Sequence, residues 1–459
     1  MKRWVLGAIL VVCLLLASTG VAVAGPSFQP GSAGLGDPFF PFAGNGGYEV
    51  THYDLALDYS PSTNVLGGRV TILAKATQNL SRFDLDLRGF DISRLLVNGR
   101  AASFTRDGQE VVITPSSGLP ARVPFIITID YRGTPTVITD PDGSIEGWVP
   151  TDDGAFVVCE PQGAPAWFPC NDIPYDKATF CFAITVPEGL TVMANGILVS
   201  HATRNKKTTW VWNETDPMAT YLATATLGRF DLTQYKLHGI PVYVAVDSAL
   251  PGDDVLAIIP GAIDYYTSIY GPYPFNAVGA VVDRADEVGY SLETQTKPMF
   301  DGMPDEATLV HELSHMWLGD SVTLTQWPDI WLHEGFATLS EWLWSEHEGS
   351  LTAHEWFEDF YSTPAGELDF WNPPSGNPGE PANLFSGSMY YRGAMTLQAL
   401  REKLGDKTFF KIMRLWVQQN RYGNVTTAEF IDLCERTSGR DLQAFFQAWL
   451  YQDGKPTTW

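Results

Sequence analysis

A chain of 459 residues is too long for one ordinary domain and reads as two or three. Hydrophobic residues make up 45% of it and aromatics 13%, enough for a sizeable core, which excludes a disordered chain. Its formal charge of −24, with no compensating basic run, repels phosphate backbones and excludes nucleic acid as a partner.

The chain opens with Lys2 and Arg3 ahead of an apolar run from Trp4 to Ala24, and the small residues Ala22, Val23 and Ala24 precede Gly25. This is the pattern of an export signal over residues 1–24, cleaved after Ala24. An uncleaved anchor is the alternative, since the run is just long enough to span a bilayer. Cleavage predicts a secreted or extracytoplasmic protein with no stable membrane insertion, and the loss of Lys2 and Arg3 takes the charge to −26. Cys13 leaves with the signal. Ten residues separate Cys159, Cys170 and Cys181 from one another, which fits no common zinc spacing. Export permits one disulfide among these three; buried free thiols are the other reading. Cys434 sits at an apolar position of a helical pattern and reads as core.

Residues 25–46 are rich in Gly, Pro and Phe without a period and read as an extended leader on the surface. Residues 47–234 alternate as strands do: Leu55, Leu57 and Tyr59 are spaced by Asp54 and Asp58, and Phe83, Leu85 and Leu87 repeat the pattern. Turn clusters separate these runs, which predicts an all-β domain of sheet layers. Between Asp231 and Gly239 the texture changes, and residues 235–459 carry long patterns of helical period, among them ATLVHELSHMWLGD, FATLSEWLWSEHEG and EFIDLCERTSGRDLQAFFQAWL. The fold class is therefore α+β, a sheet domain followed by a mostly helical one.

The chemistry concentrates in HELSHMWLGDSVTLTQWPDIWLHEGFATLSE. On a helix, His311 and His315 share one face a turn apart, the arrangement two imidazoles need to hold one tetrahedral ion. Glu312 is rotated from them and reaches a water on such an ion. Glu334, nineteen residues beyond His315, supplies the third ligand, and Pro328 suits the first turn of the helix that carries it. Two histidines, one carboxylate and an open position predict one Zn2+ per chain in a hydrolase site. Glu341 falls near the face of Glu334 and is either a partner for the free ring N–H of a ligand histidine or an exposed helix carboxylate.

With these residues in place the chain resembles the aminopeptidase N family of gluzincin metallopeptidases, which includes the leukotriene hydrolases. The zinc pattern from HELSH to Glu334 matches in full. EPQGAPAWFPCNDIPYDKATF resembles the segment near the end of that family's β domain, VGYSLETQT its exopeptidase motif, and MYYRGAMTLQALR the segment of its catalytic tyrosine. The resemblance implies a saddle-like β domain and a thermolysin-like catalytic domain, here in a short two-domain form without a C-terminal helical-repeat domain. It also implies that Glu293 and Glu160 grip the α-ammonium of a peptide and that Tyr390, with Tyr391 as runner-up, donates to the oxyanion. The exopeptidase motif is usually GAMEN, and only Glu293 is unchanged where this chain has Tyr290, Ser291, Leu292, Glu293 and Thr294. Val158 replaces the usual glutamine before Glu160, His333 the usual asparagine before Glu334, and Met316 a frequent glutamine.

The function expected on these grounds is a zinc aminopeptidase acting on peptides with a free amino terminus. A zinc-bound water attacks the first peptide bond, with Glu312 as general base and then acid and Tyr390 as oxyanion donor. A zinc endopeptidase and a catalytically silent zinc-binding module are the rivals. Side-chain preference and oligomeric state are not legible.

Overall fold

A computed structural model of the chain describes residues 27–252, 254–363 and 370–457. The proposed signal lies outside them. Alternating burial drives the first half into strands: Ala178–Pro187 buries every second side chain, and Tyr48–Ser60 keeps Tyr53, Leu55, Leu57 and Tyr59 inside. Both belong to an eight-stranded sheet, where they run parallel while their other neighbours pair antiparallel. A four-stranded sheet around Leu80–Asp86 and a five-stranded sheet containing Ala155–Val158 complete the β-rich half. Between the layers, Tyr53, Phe168 and Phe180 interlock at ring-centroid distances of 4.8 to 6.3 Å. Within residues 27–46, Gln29–Pro30 adds a parallel strand to the four-stranded sheet, and Phe40 packs edge-on to Trp327.

A second four-stranded sheet, Phe230–Leu237, Ile240–Asp247, Val278–Val282 and Met299–Phe300, introduces the helical half. The longer helices among the described residues are α1 (Ile259–Tyr270), α2 (Glu306–Ser314), α3 (Trp331–His347), α4 (Ala353–Ser362), α5 (Gly393–Leu404), α6 (Asp406–Asn420) and α7 (Thr427–Ser438). Helix α3 is buried on almost every side, from Trp331 through Trp344, and packs between α2 and α5. It lies against α5 so closely that a Cβ on Gly335 would stand 2.7 Å from the Gly393 Cα. Capping boxes start α4 at Thr352 and α7 at Thr426.

Two helical patterns end earlier than their sequence periods suggest. Helix α2 stops at Ser314, and the chain turns so tightly beyond it that a Cβ on Gly319 would meet His315 Nδ1 at 2.8 Å. The last pattern is two pieces, since Gly439 takes a left-handed conformation (φ 68°) at the end of α7 and a short helix resumes at Gln443–Phe446. The halves are tied by Lys177, whose Nζ donates to the carbonyls of Asp320, Ser321 and Gly423 at 2.9 to 3.2 Å. Cys159, Cys170, Cys181 and Cys434 are free thiols, and Cys434 is buried in the core. No helix among the described residues is long and apolar enough to cross a membrane.

Candidate metal centre and its cleft

Asp305 caps α2 by accepting from the Thr308 N–H, and the helix then presents His311 and Glu312 in its last turn, with His315 just past its end. A 3-10 turn, Trp327–Asp329, carries Pro328 and leads into α3, whose first turn holds Glu334. The packing of α2 on α3 brings the three together: one nitrogen each of His311 and His315 and one oxygen of Glu334 lie within 4.8 Å of one another. Glu334 Oε2 stands 3.2 Å from His311 Nε2 and 3.7 Å from His315 Nε2.

Tetrahedral ligands at about 2.1 Å from Zn2+ sit about 3.4 Å apart, so the separations of Glu334 from the two histidines suit that ion. The far ring nitrogens are held as such a site requires. Glu341 Oε1 lies 2.5 Å from His311 Nδ1, and the Leu318 carbonyl lies 3.1 Å from His315 Nδ1, so both Nε2 atoms are left to face Glu334. Of the two readings open for Glu341, the histidine partner is the one the fold forms. Burial, reinforced by Glu334 and opposed by His311, pushes the Glu312 carboxyl up to about 8 in the metal-free protein.

The remaining expected residues converge from three other segments. Glu160 follows the strand Ala155–Val158, and Glu293 follows the bridge in which Leu292 and Met299 exchange backbone hydrogen bonds of 2.8 and 2.9 Å. Both glutamates are buried, and both are raised well above the usual carboxylate range, first by burial and then by neighbouring carboxylates. Tyr390 lies in a π-turn, Ser388–Arg392, with its ring 5.9 Å from that of His311. Burial and the carboxylates of Glu334, Glu160, Glu312 and Glu293 raise its phenol, so it stays protonated and able to donate. Tyr391 also lines the cleft but stacks on Phe360 at 4.6 Å, with 38% of its surface exposed. Arg392, fully buried, fixes the π-turn by donating to the carbonyls of Trp371, Ala448, Trp449 and Gln452 at 2.5 to 3.3 Å.

All seven expected side chains line one cleft of about 540 Å³. Asp142 and Ser144, Thr338 and Phe385 also line it and were not legible as site residues. The turn dipeptide Asp142-Gly143 marks a hairpin tip in the sequence, but only the fold brings that tip over the helices. Tyr290 anchors the arrangement by donating to the Ile145 carbonyl at 3.0 Å.

Residues 49–222 match the family model described as the peptidase M1 N-terminal domain, and residues 294–449 match the peptidase family M1 domain. The chain is 28% identical over 411 residues to aminopeptidase N of Streptomyces lividans, covering 81% of this chain and 46% of that protein. It is 24% identical over 443 residues to probable aminopeptidase 2 of Sulfurisphaera tokodaii, covering 89% and 54%. The chain thus spans about half the length of these relatives. Among solved structures, the M1 zinc metallopeptidase from Deinococcus radiodurans superposes with a TM-score of 0.83 at 29% identity, covering 92% of this chain and 98% of that one. A variant of it bound to a Tyr-Ser-Ala substrate gives a TM-score of 0.84 at 28% identity, covering 92% and 99%. With a β-rich half and a helical half that each match their own family model, and a two-domain fold shared along nearly the whole of a solved relative, the chain belongs to the peptidase M1 family.

Proposed function

We propose that the protein is a zinc aminopeptidase that removes the first residue of peptides with a free amino terminus. The observation that carries this reading is the buried pair Glu160 and Glu293 beside the His311, His315 and Glu334 cluster. Two converging carboxylates with no cation between them repel each other, so a ligand that brings an ammonium is favoured over one that does not. A peptide amino terminus, with a reference pKa of about 7.7 to 8.0, is largely protonated at neutral pH. Held there, the terminus lays its first peptide bond beside His311, His315 and Glu334.

His311, His315 and Glu334 would hold Zn2+, which when bound polarises a carbonyl and acidifies water. Glu312 takes the proton from the attacking water and delivers it to the departing amine, a role worth about 10² to 10⁴ in rate. The Tyr390 phenol donates to the oxygen that gains charge as the carbonyl becomes tetrahedral. Arg392 keeps that phenol in place through the π-turn. The Deinococcus radiodurans relative described as bound to Tyr-Ser-Ala supports a peptide in this cleft. From the sequence of residues 1–24 we also infer export, which amino-terminal sequencing of protein from the culture medium would check by a first residue of Gly25.

One peptide, offered with a free and with an acetylated amino terminus, tests the reading by mass spectrometry of the products. Stepwise loss of terminal residues from the free peptide alone is expected. Glu312→Gln should lower kcat by at least about 10²-fold with zinc content unchanged. Internal cuts in both peptides would make it an endopeptidase, and no cleavage of either would leave a zinc-binding module.

A further inference from the structure

We infer that His333 is a positioning residue for the carboxylate pair Glu160 and Glu293, donating its Nδ1–H into that pair. The inference rests on the amine-binding role given to the pair above. His333 precedes Glu334 in the first turn of α3 and is fully buried. Its Nε2 accepts the backbone N–H of Leu324 at 2.9 Å. A neutral imidazole carries one proton, so this contact leaves the proton on Nδ1. Among the described residues Nδ1 has no hydrogen-bond partner, and the same holds for Oε1 of Glu160 and Oε1 of Glu293. A ring nitrogen of His333 lies within 4.8 Å of a carboxylate oxygen of each glutamate. One buried donor and two buried acceptors are thus left unpaired on three side chains that gather within 4.8 Å. A carboxylate shift of about 2 Å closes the gap, the kind of tightening catalytic hydrogen bonds undergo when a ligand binds.

The same three side chains have the spacing of a divalent-cation site, and the tautomer argues against that use. A metal on Nδ1 needs the lone pair there, which moves the proton to Nε2, where the Leu324 N–H already points. A donor role satisfies both nitrogens of the ring. It orients the carboxylates without placing a positive charge beside them, so their attraction for an ammonium is kept.

The zinc-loaded enzyme, assayed on an amino-acyl nitroanilide, separates this role from a structural one. His333→Phe should raise KM about tenfold, the worth of one hydrogen bond to a charged group, while kcat changes by less than about threefold and zinc content holds. His333→Asn, whose amide both accepts and donates, should recover most of the KM. Nitrogen-15 NMR of the wild-type ring should show the proton on Nδ1, and it decides the matter if the Phe variant does not fold. A proton on Nε2, an unchanged KM, or a second bound zinc that His333→Phe abolishes would overturn the inference. Failure of the aminopeptidase reading looks different, since the wild-type chain would then release no nitroaniline from the amino-acyl substrate. Binding of leucinamide measured by calorimetry would still test His333: weaker binding to the Phe variant supports the role, and equal binding overturns it.

Discussion

At the scale of the residue, the sharpest distinction is between Tyr390 and Tyr391, adjacent in sequence and opposite in surroundings. Tyr390 faces the metal-binding side chains and four carboxylates, while Tyr391 leans on Phe360 at the mouth of the cleft. Removing one oxyanion donor typically costs about 10² to 10³ in kcat, so Tyr390→Phe should lose that much with KM within about twofold. Tyr391→Phe should leave kcat nearly unchanged, and steady-state kinetics of both variants checks the pair. Asp172 supplies a prediction about stability. It is buried, accepts from the Thr220 hydroxyl at 2.6 Å, and is pushed by burial from 3.8 up to about 7. Between those values the folded chain keeps a proton that the unfolded chain releases, so stability is fully present below pH 3.8 and is lost as pH rises toward about 7. Asp172→Asn cannot ionise. Its stability relative to the wild type should therefore grow by about 1.4 kcal/mol per pH unit across that window and level off above it, as denaturant unfolding at a series of pH values would show. A gap that does not change with pH would refute the burial argument.

At the scale of the element, the site depends on how closely α3 and α5 approach. Gly335 stands one residue after Glu334, and Gly393 follows the π-turn that carries Tyr390. A Cβ at Gly335 would stand 2.7 Å from the Gly393 Cα, a contact that only a movement of one helix relieves. That movement separates Tyr390 from Glu334, and a displacement of about 1 Å can cost about 10²-fold in rate. Gly335→Ala should therefore lower kcat by more than about tenfold while the far-ultraviolet circular dichroism stays that of a folded protein. A variant with full activity would show that the π-turn is positioned independently of α3. The sequence foresaw the helices that bear the histidines and Glu334 because their apolar spacing is regular. It did not foresee that α2 ends at Ser314, where the Trp317 N–H bonds back to the Ser314 carbonyl and the Asp320 N–H to the His315 carbonyl.

At the scale of the whole molecule, charge is the dominant feature. The chain carries −24, and among the described residues seven acidic side chains and no lysine or arginine line the cleft. Such a field draws cationic peptides and slows acidic ones. Raising the ionic strength from about 0.01 M to about 0.15 M shortens the screening length from about 30 Å to about 8 Å. Across that range kcat/KM should fall several-fold for peptides rich in Lys and Arg after the first residue, and rise for peptides rich in Asp and Glu. Equal salt dependence for both would mean that the carboxylates act only locally.

Read alone, the sequence determined the order of a β-rich half and a helical half, the two histidines and Glu334, and Glu312 beside them. Those features are written in local periodicity and in spacing along one or two helices. The tertiary structure decided what spacing cannot encode. It turned Glu341 onto His311, brought the ring of Tyr390 rather than that of Tyr391 to His311, and carried Glu160, Glu293 and the Asp142 hairpin to within reach of the helices. It also gave His333, which the sequence marked only as a departure, a fixed tautomer facing two buried carboxylates. The physical reason is that each of these depends on contacts between segments far apart in the chain, where burial and hydrogen-bond satisfaction over the whole fold select the one arrangement that leaves the fewest polar groups unpaired.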